Sequence, residues 1–213
     1  MWPVGEAEGG GNIGHTFGVD GTDERSVTTA LVWGRQLVTE YERYYRQFLP
    51  GFEQVRLTQT GALLGLRESR RILGDYVLNL EDYKRRAVFE DEIGRYAYTI
   101  DIHAAMPSGK AEPVAHSAFT TLRYGKGESY GIPYRILTPR TLRNVLVAGR
   151  CVSVDRSVHG SIRVMPGCFI TGQAAGAAAA VAAANDGDTR RVEIKDLQSR
   201  LRSAGAYLPN AAA

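Results

Sequence analysis

The chain has 213 residues, 44% hydrophobic and 9% aromatic, with 26 Lys and Arg against 23 Asp and Glu for a net charge of +3. That length allows one or two ordinary domains, and the composition excludes a disordered or collagen-like chain. The charge is too weak for nucleic acid to be expected as a partner, and Cys151 and Cys168 are too few for a disulfide scaffold and lie in no metal-spaced cluster.

Residues 1–19 read as a flexible Gly-rich start, with neither the basic opening nor the apolar run of a signal peptide. Within it, Gly9-Gly10-Gly11-Asn12-Ile13-Gly14 fits the dinucleotide pattern G-x-G-x-x-G. That pattern has meaning only between a buried strand and a helix N-terminus, and neither is expected here, so it is read as a decoy. Apolar residues at helical spacing predict a long helix over 27–48, capped by Ser26 and stopped by Pro50-Gly51. Three β-prone runs follow, 54–60, 62–66 and 71–78, punctuated by glycines as in a small antiparallel sheet. Asn79 opens a short helix, and the stretch 104–131 is turn-rich around one strand near 119–124.

The pattern changes beyond residue 140. Asn144-Val145-Leu146-Val147-Ala148-Gly149-Arg150 is a continuous apolar run of the kind found in a strand buried on both faces. A helix is expected to open at Gly172-Gln173 and run to Asn185, and another to cover 194–204. The Ala-rich run 174–184 is too short for a bilayer, which needs about 20 residues, so no membrane is expected. The chain is expected to be reduced and cytoplasmic, without bound metal.

Small residues at the end of the 144–150 run and at Gly172-Gln173-Ala174 let another molecule approach the backbone, with helix N–H groups facing electron-rich oxygens. The same residues also suit close helix packing with no ligand at all. His103 follows Asp101 and His159 precedes Gly160-Ser161; each is either a proton-handling group or a turn residue bonded to backbone. Arg67, Arg70 and Arg71 with Glu68 form either an anion pocket or a solvated strand end, and Tyr134-Arg135 could line a site in the same way.

Several motifs in order carry a resemblance. Asp20-Gly21-Thr22-Asp23, Arg67-Glu68-Ser69-Arg70-Arg71, Ile100-Asp101-Ile102-His103, Gly131-Ile132-Pro133-Tyr134-Arg135, Asn144 to Val152, Gly160 to Pro166 and Gly172 to Ala180 together resemble the FAD-dependent oxidoreductase family, distant relatives of fumarate reductase flavoproteins. The resemblance implies a mixed α/β and α+β chain. Residues 20–135 would form a cap or substrate domain, and 136–213 the C-terminal strand and helices of a split Rossmann-like FAD-binding domain. It implies FAD as cofactor, with contacts from Ala148, Gly149, Arg150, Ser161, Arg163, Val164, Gly172, Gln173 and Ala174. Arg163 and the helix N-terminus at Gly172 would stabilise reduced flavin, while His159 or His103 handles protons for a small-molecule substrate.

The family's N-terminal βαβ unit, which cradles the FAD pyrophosphate, has no counterpart in this sequence. The expectation is therefore a C-terminal portion or small subunit, completed by a partner polypeptide carrying the N-terminal FAD-binding half, or else a truncated product. The alternative is a non-catalytic interaction module.

Overall fold

The computed structural model describes residues 2–102 and 119–210, which part into two compact units between Ser69 and Arg70. The fold mixes helices with little sheet, compatible with an α/β or α+β class: each of the two sheets has two antiparallel strands.

In the first unit, β1 (Trp2–Pro3) pairs with β2 (Gly9–Gly10), and α1 runs from Glu24 to Phe48. Asp23 caps α1, accepting from the Arg25 and Ser26 N–H groups, and Glu24 adds a second negative charge to the positive helix end. Ser26, the expected cap, lies inside the first turn and its hydroxyl accepts the Asp20 N–H at 2.9 Å. The Gly9–Gly14 motif has no helix directly after it, since α1 begins only at Glu24, so no strand, Gly-rich loop and helix follow one another there. The runs 54–60 and 62–66 form no strand.

The second unit holds the main core. Extended chain from Arg70 enters it through two isolated bridges, Gly74 with Pro139 and Leu78 with Val154, in place of the sheet expected over 71–78. α2 (Leu80–Lys84) starts at Asn79 as expected, whose side chain accepts from Glu81 and Asp82 N–H while Asp82 answers to the Asn79 N–H. β3 (Glu92–Tyr96) and β4 (Tyr130–Pro133) make an antiparallel pair with a register shift between Glu92 and Gly94. Both strands were missed in the sequence because they are short and carry glycines. Those glycines are needed: a Cβ on Gly131 would collide with the Glu92 carboxylate, and one on Gly94 would stand 2.5 Å from the Ile170 side chain. The expected strand near 119–124 is a 3-10 turn over Thr120–Leu122.

α3 (Arg156–Ile162) and α4 (Met165–Ala183) meet at a 91° bend across Arg163-Val164, and α5 (Ile194–Ser203) follows, ending before Gly205 in the left-handed conformation. α4 therefore opens about two turns before Gly172, the expected start. Pro166 supplies the opening, since its missing N–H and fixed φ suit a first turn, whereas Gly172 sits in the helix interior. The 144–150 run is also corrected. It is half-buried extended chain without a strand ladder, tied by the Val147 N–H to the Leu137 carbonyl, and it ends in a 3-10 turn over Gly149–Cys151. A doubly buried strand needs strand neighbours, and the described residues of this unit supply only β3 and β4, which pair with each other.

The core joins Leu78, Tyr83, Ile93, Tyr130, Ile132 and Ile136 to Val158, Ile162, Ala174, Ala178, Leu197 and Leu201, so residues on either side of position 135 share it. Among the described residues, no single helix is long and apolar enough to cross a membrane.

Candidate functional site

Three of the segments singled out in the sequence converge at the α3–α4 elbow. Asp155 fixes α3, accepting the Val158 N–H at 2.7 Å through one carboxylate oxygen and the Leu80 N–H at 2.7 Å through the other, which ties α2 to α3. Asp101 then lies along α3: its N–H donates to the Gly160 carbonyl, and Arg163 Nη2 donates to the Asp101 carbonyl at 2.6 Å. Gly160 permits that approach, because a Cβ there would stand 2.9 Å from Ile102 and 3.2 Å from the Asp101 oxygen.

His159 is fully buried, and its Nε2 lies 2.8 Å from the Arg150 carbonyl oxygen. The ring thus holds the Gly149–Cys151 turn against α3. Gly149 adopts φ +74, a conformation that favours glycine, and its N–H donates to Thr171 Oγ1 at 3.0 Å. Cys168 closes the circuit by donating its Sγ–H to the Arg163 carbonyl at 3.3 Å, and burial pushes its thiol pKa up against the opposing charge of Arg150. Ser161, also fully buried, donates to the Tyr98 carbonyl at 2.7 Å and shares a 3.0 Å hydrogen bond with the Tyr130 hydroxyl.

Arg150, Ser161, Arg163 and Val164 therefore gather around one elbow with Ala148 and Gly149 at its edge. Ala148 is half-buried, Arg150 is exposed, and Val164 is the α4 N-cap without a side-chain cap hydrogen bond. Gly172, Gln173 and Ala174 do not form a helix N-terminus, because they occupy the middle of α4. Gly172 and Gln173 are exposed on its outer face, with the Gln173 amide 3.5 Å from the Ala204 carbonyl. Ala174 is fully buried and faces the core, so its side is the packing side of the helix. His103 lies outside the described residues.

Thr171 and Tyr130 are the residues that sequence reasoning missed. Thr171 carried no motif signal, and Tyr130 stood one position before the Gly131 motif without a partner in view. Tyr134-Arg135 turns out to be structural: Tyr134 donates to the Thr189 carbonyl, while Arg135 pairs with Asp91 at 3.0 Å and lies over the Tyr76 ring.

The outer face of α4 completes the geometry. Met165 to Ala183 contains no charged residue, and apart from Gln173 its exposed face is apolar. Gly167, Thr171, Ala174, Ala178, Val181 and Ala182 face the core, whereas Met165 and Phe169 are 72% and 68% exposed and share the opposite side with Gly172 and Gly176. Such a helix is ordinarily buried all round.

A family model described as FAD dependent oxidoreductase matches residues 5–201. No curated protein and no solved structure matches the chain.

Proposed function

Because the chain belongs to the FAD dependent oxidoreductase family, we propose that it is the C-terminal portion or small subunit of a flavin-linked oxidoreductase. In this proposal residues 20–135 serve the substrate and 136–213 the flavin, with a partner polypeptide bringing the N-terminal half of a Rossmann-like domain. FAD is the cofactor the family implies.

The observation that carries the proposal is the outer face of α4, a charge-free surface that a self-sufficient protein would cover. The residues present suit one part of FAD. Positions where a Cβ on Gly172 or Gly176 would stand have nothing within 4 Å, and Gly149 presents bare backbone at the adjoining turn. A flat ring system can lie against such a surface. The pyrophosphate is different, since the described residues contain no strand, Gly-rich loop and helix in succession, so its cradle is assigned to the partner.

When bound, FAD supplies the hydride or electron-pair acceptor. The chain's own residues shape its surroundings. Arg163, held on the Asp101 carbonyl, keeps a positive charge at the elbow, which would stabilise negative charge on a flavin bound there. His159 works as a positioning residue by fixing the turn that carries Arg150. The uncapped first turn of α4 adds the positive end of a helix dipole on the same side.

The test is reconstitution. Mixing the full chain with a candidate polypeptide that carries the phosphate-binding half, in the presence of FAD, should give a yellow complex that bleaches with dithionite. Phe169→Glu, an exposed change that leaves the core untouched, should abolish assembly. A complex that forms without taking up FAD would favour the non-catalytic interaction module and overturn the enzyme reading.

A further inference from the structure

Beyond the end of β3 the second unit has a shallow cleft of about 580 Å³, largely open to solvent and lined by Arg95, Tyr96, Tyr98, Glu128, Ser129 and Tyr207. That volume falls within the roughly 300–1,000 Å³ of small-molecule sites. Tyr96 and Tyr98 stand two residues apart in extended chain and so share one side, their rings 6.3 Å apart and within 18° of parallel. Tyr207, after α5, contributes a third ring that is 66% exposed, and Tyr98 is 43% exposed.

The polar groups limit what the cleft can hold. Arg95 spends its donors on Glu92 at 2.5 Å and on the Ser129 hydroxyl and carbonyl at 2.9 and 2.7 Å. Glu128 accepts from the Gly125 N–H at 2.7 Å and from Arg86 at 3.0 Å, which hold its carboxyl below the usual range. Buried Arg95 and exposed Glu128 are thus both already matched, and a charged ligand would meet no counter-charge to offset its desolvation. Ser129 Oγ accepts from Arg95 Nε and keeps its own hydrogen to donate. Rings with π faces, together with the Ser129 and tyrosine hydroxyls as donors, suit a planar, uncharged molecule bearing a hydrogen-bond acceptor.

The cleft also adjoins the elbow. Ser161 Oγ donates to the Tyr98 carbonyl, which anchors the segment carrying Tyr96 and Tyr98 on α3.

We propose that this cleft is the substrate subsite, and that the substrate class is uncharged, planar ring compounds carrying a hydroxyl or carbonyl group. Its role as a substrate subsite rests on the flavin-linked reading, but its binding chemistry does not.

Binding can therefore be measured on the full chain without FAD, using naphthol as the probe and its fluorescence anisotropy as the signal. Saturable binding is expected, with little competition from cyclohexanol, which is uncharged but not planar, or from naphthoate, which is planar but charged. Tyr98→Ala and Tyr207→Ala should each weaken naphthol about threefold to tenfold while leaving the circular dichroism spectrum unchanged. Absence of saturable binding, equal competition by cyclohexanol, or unchanged affinity in both folded variants overturns the proposal. Naphthol binding by a chain that never takes up FAD with any partner would leave the ligand class standing and remove the flavin-linked reading instead.

Discussion

Replacing Glu92 with glutamine isolates a buried cation and leaves the shape of the core unchanged. Glu92 is fully buried, and its Oε1 accepts from Arg95 Nη1 at 2.5 Å and from the Phe89 N–H at 3.1 Å. The Arg95 side chain is only 6% exposed. Glutamine can still accept from Phe89, but it offers no charge to the guanidinium. Breaking a buried pair from one side costs about 3–5 kcal/mol. The two bonds from Arg95 to Ser129 survive the change, which places the expected loss at the lower end, about 3 kcal/mol. Urea unfolding followed by near-ultraviolet circular dichroism, which reports the buried tyrosines, reads this directly. With a slope of about 1–3 kcal/mol per molar urea, the midpoint should fall by roughly 1–3 M. Adding Arg95→Met should recover most of the loss, since the stranded charge is then gone. A Glu92→Gln midpoint indistinguishable from that of the parent chain would refute this reasoning, and so would a double variant in which the two losses simply add.

Asp155→Ala removes both the α3 cap and the bond to Leu80, and a loss of about 2 kcal/mol is expected in thermal unfolding. Asn79→Ala should cost about 1 kcal/mol by loss of the α2 cap, read as a fall in Tm of roughly 2–4 °C. Gly160→Val should cost more than Gly160→Ala in the same assay, with about 1–3 kcal/mol for alanine, because the new side chain meets Ile102 and the Asp101 backbone.

Local signals in the sequence were reliable where local physics decides. The periodic apolar face over 27–48, the Asn79 cap and the amphipathic 194–204 segment all correspond to observed helices, with the α1 cap moved to Asp23. Where partners decide, the sequence was silent or misleading. β3 and β4 exist because Gly94 and Gly131 let Ile170 and Glu92 fit against them, a requirement that no periodicity reveals. The helix through 172–185 was expected but not its start, since nothing local in Gly160 to Pro166 separates the end of α3, the elbow and the Pro166 opening. The apolar 144–150 run has strand composition without strand neighbours in the described residues. At the candidate site, Gly160, Ser161, Arg163, Gly149 and Arg150 were all visible as motif residues. Their joining was not, because the links run through backbone carbonyls of Tyr98, Asp101 and Arg150, which carry no side-chain signature.

The most direct measurement is the visible flavin absorbance that co-elutes with the chain on size exclusion, after mixing with FAD and a polypeptide bearing the phosphate-binding half. A flavin-linked subunit whose outer α4 face meets that half should carry about one FAD per assembled pair, and Phe169→Glu should leave chain and flavin in separate fractions. Flavin absorbance that never co-elutes, or that co-elutes equally with Phe169→Glu, would contradict the assignment of this surface to the flavin.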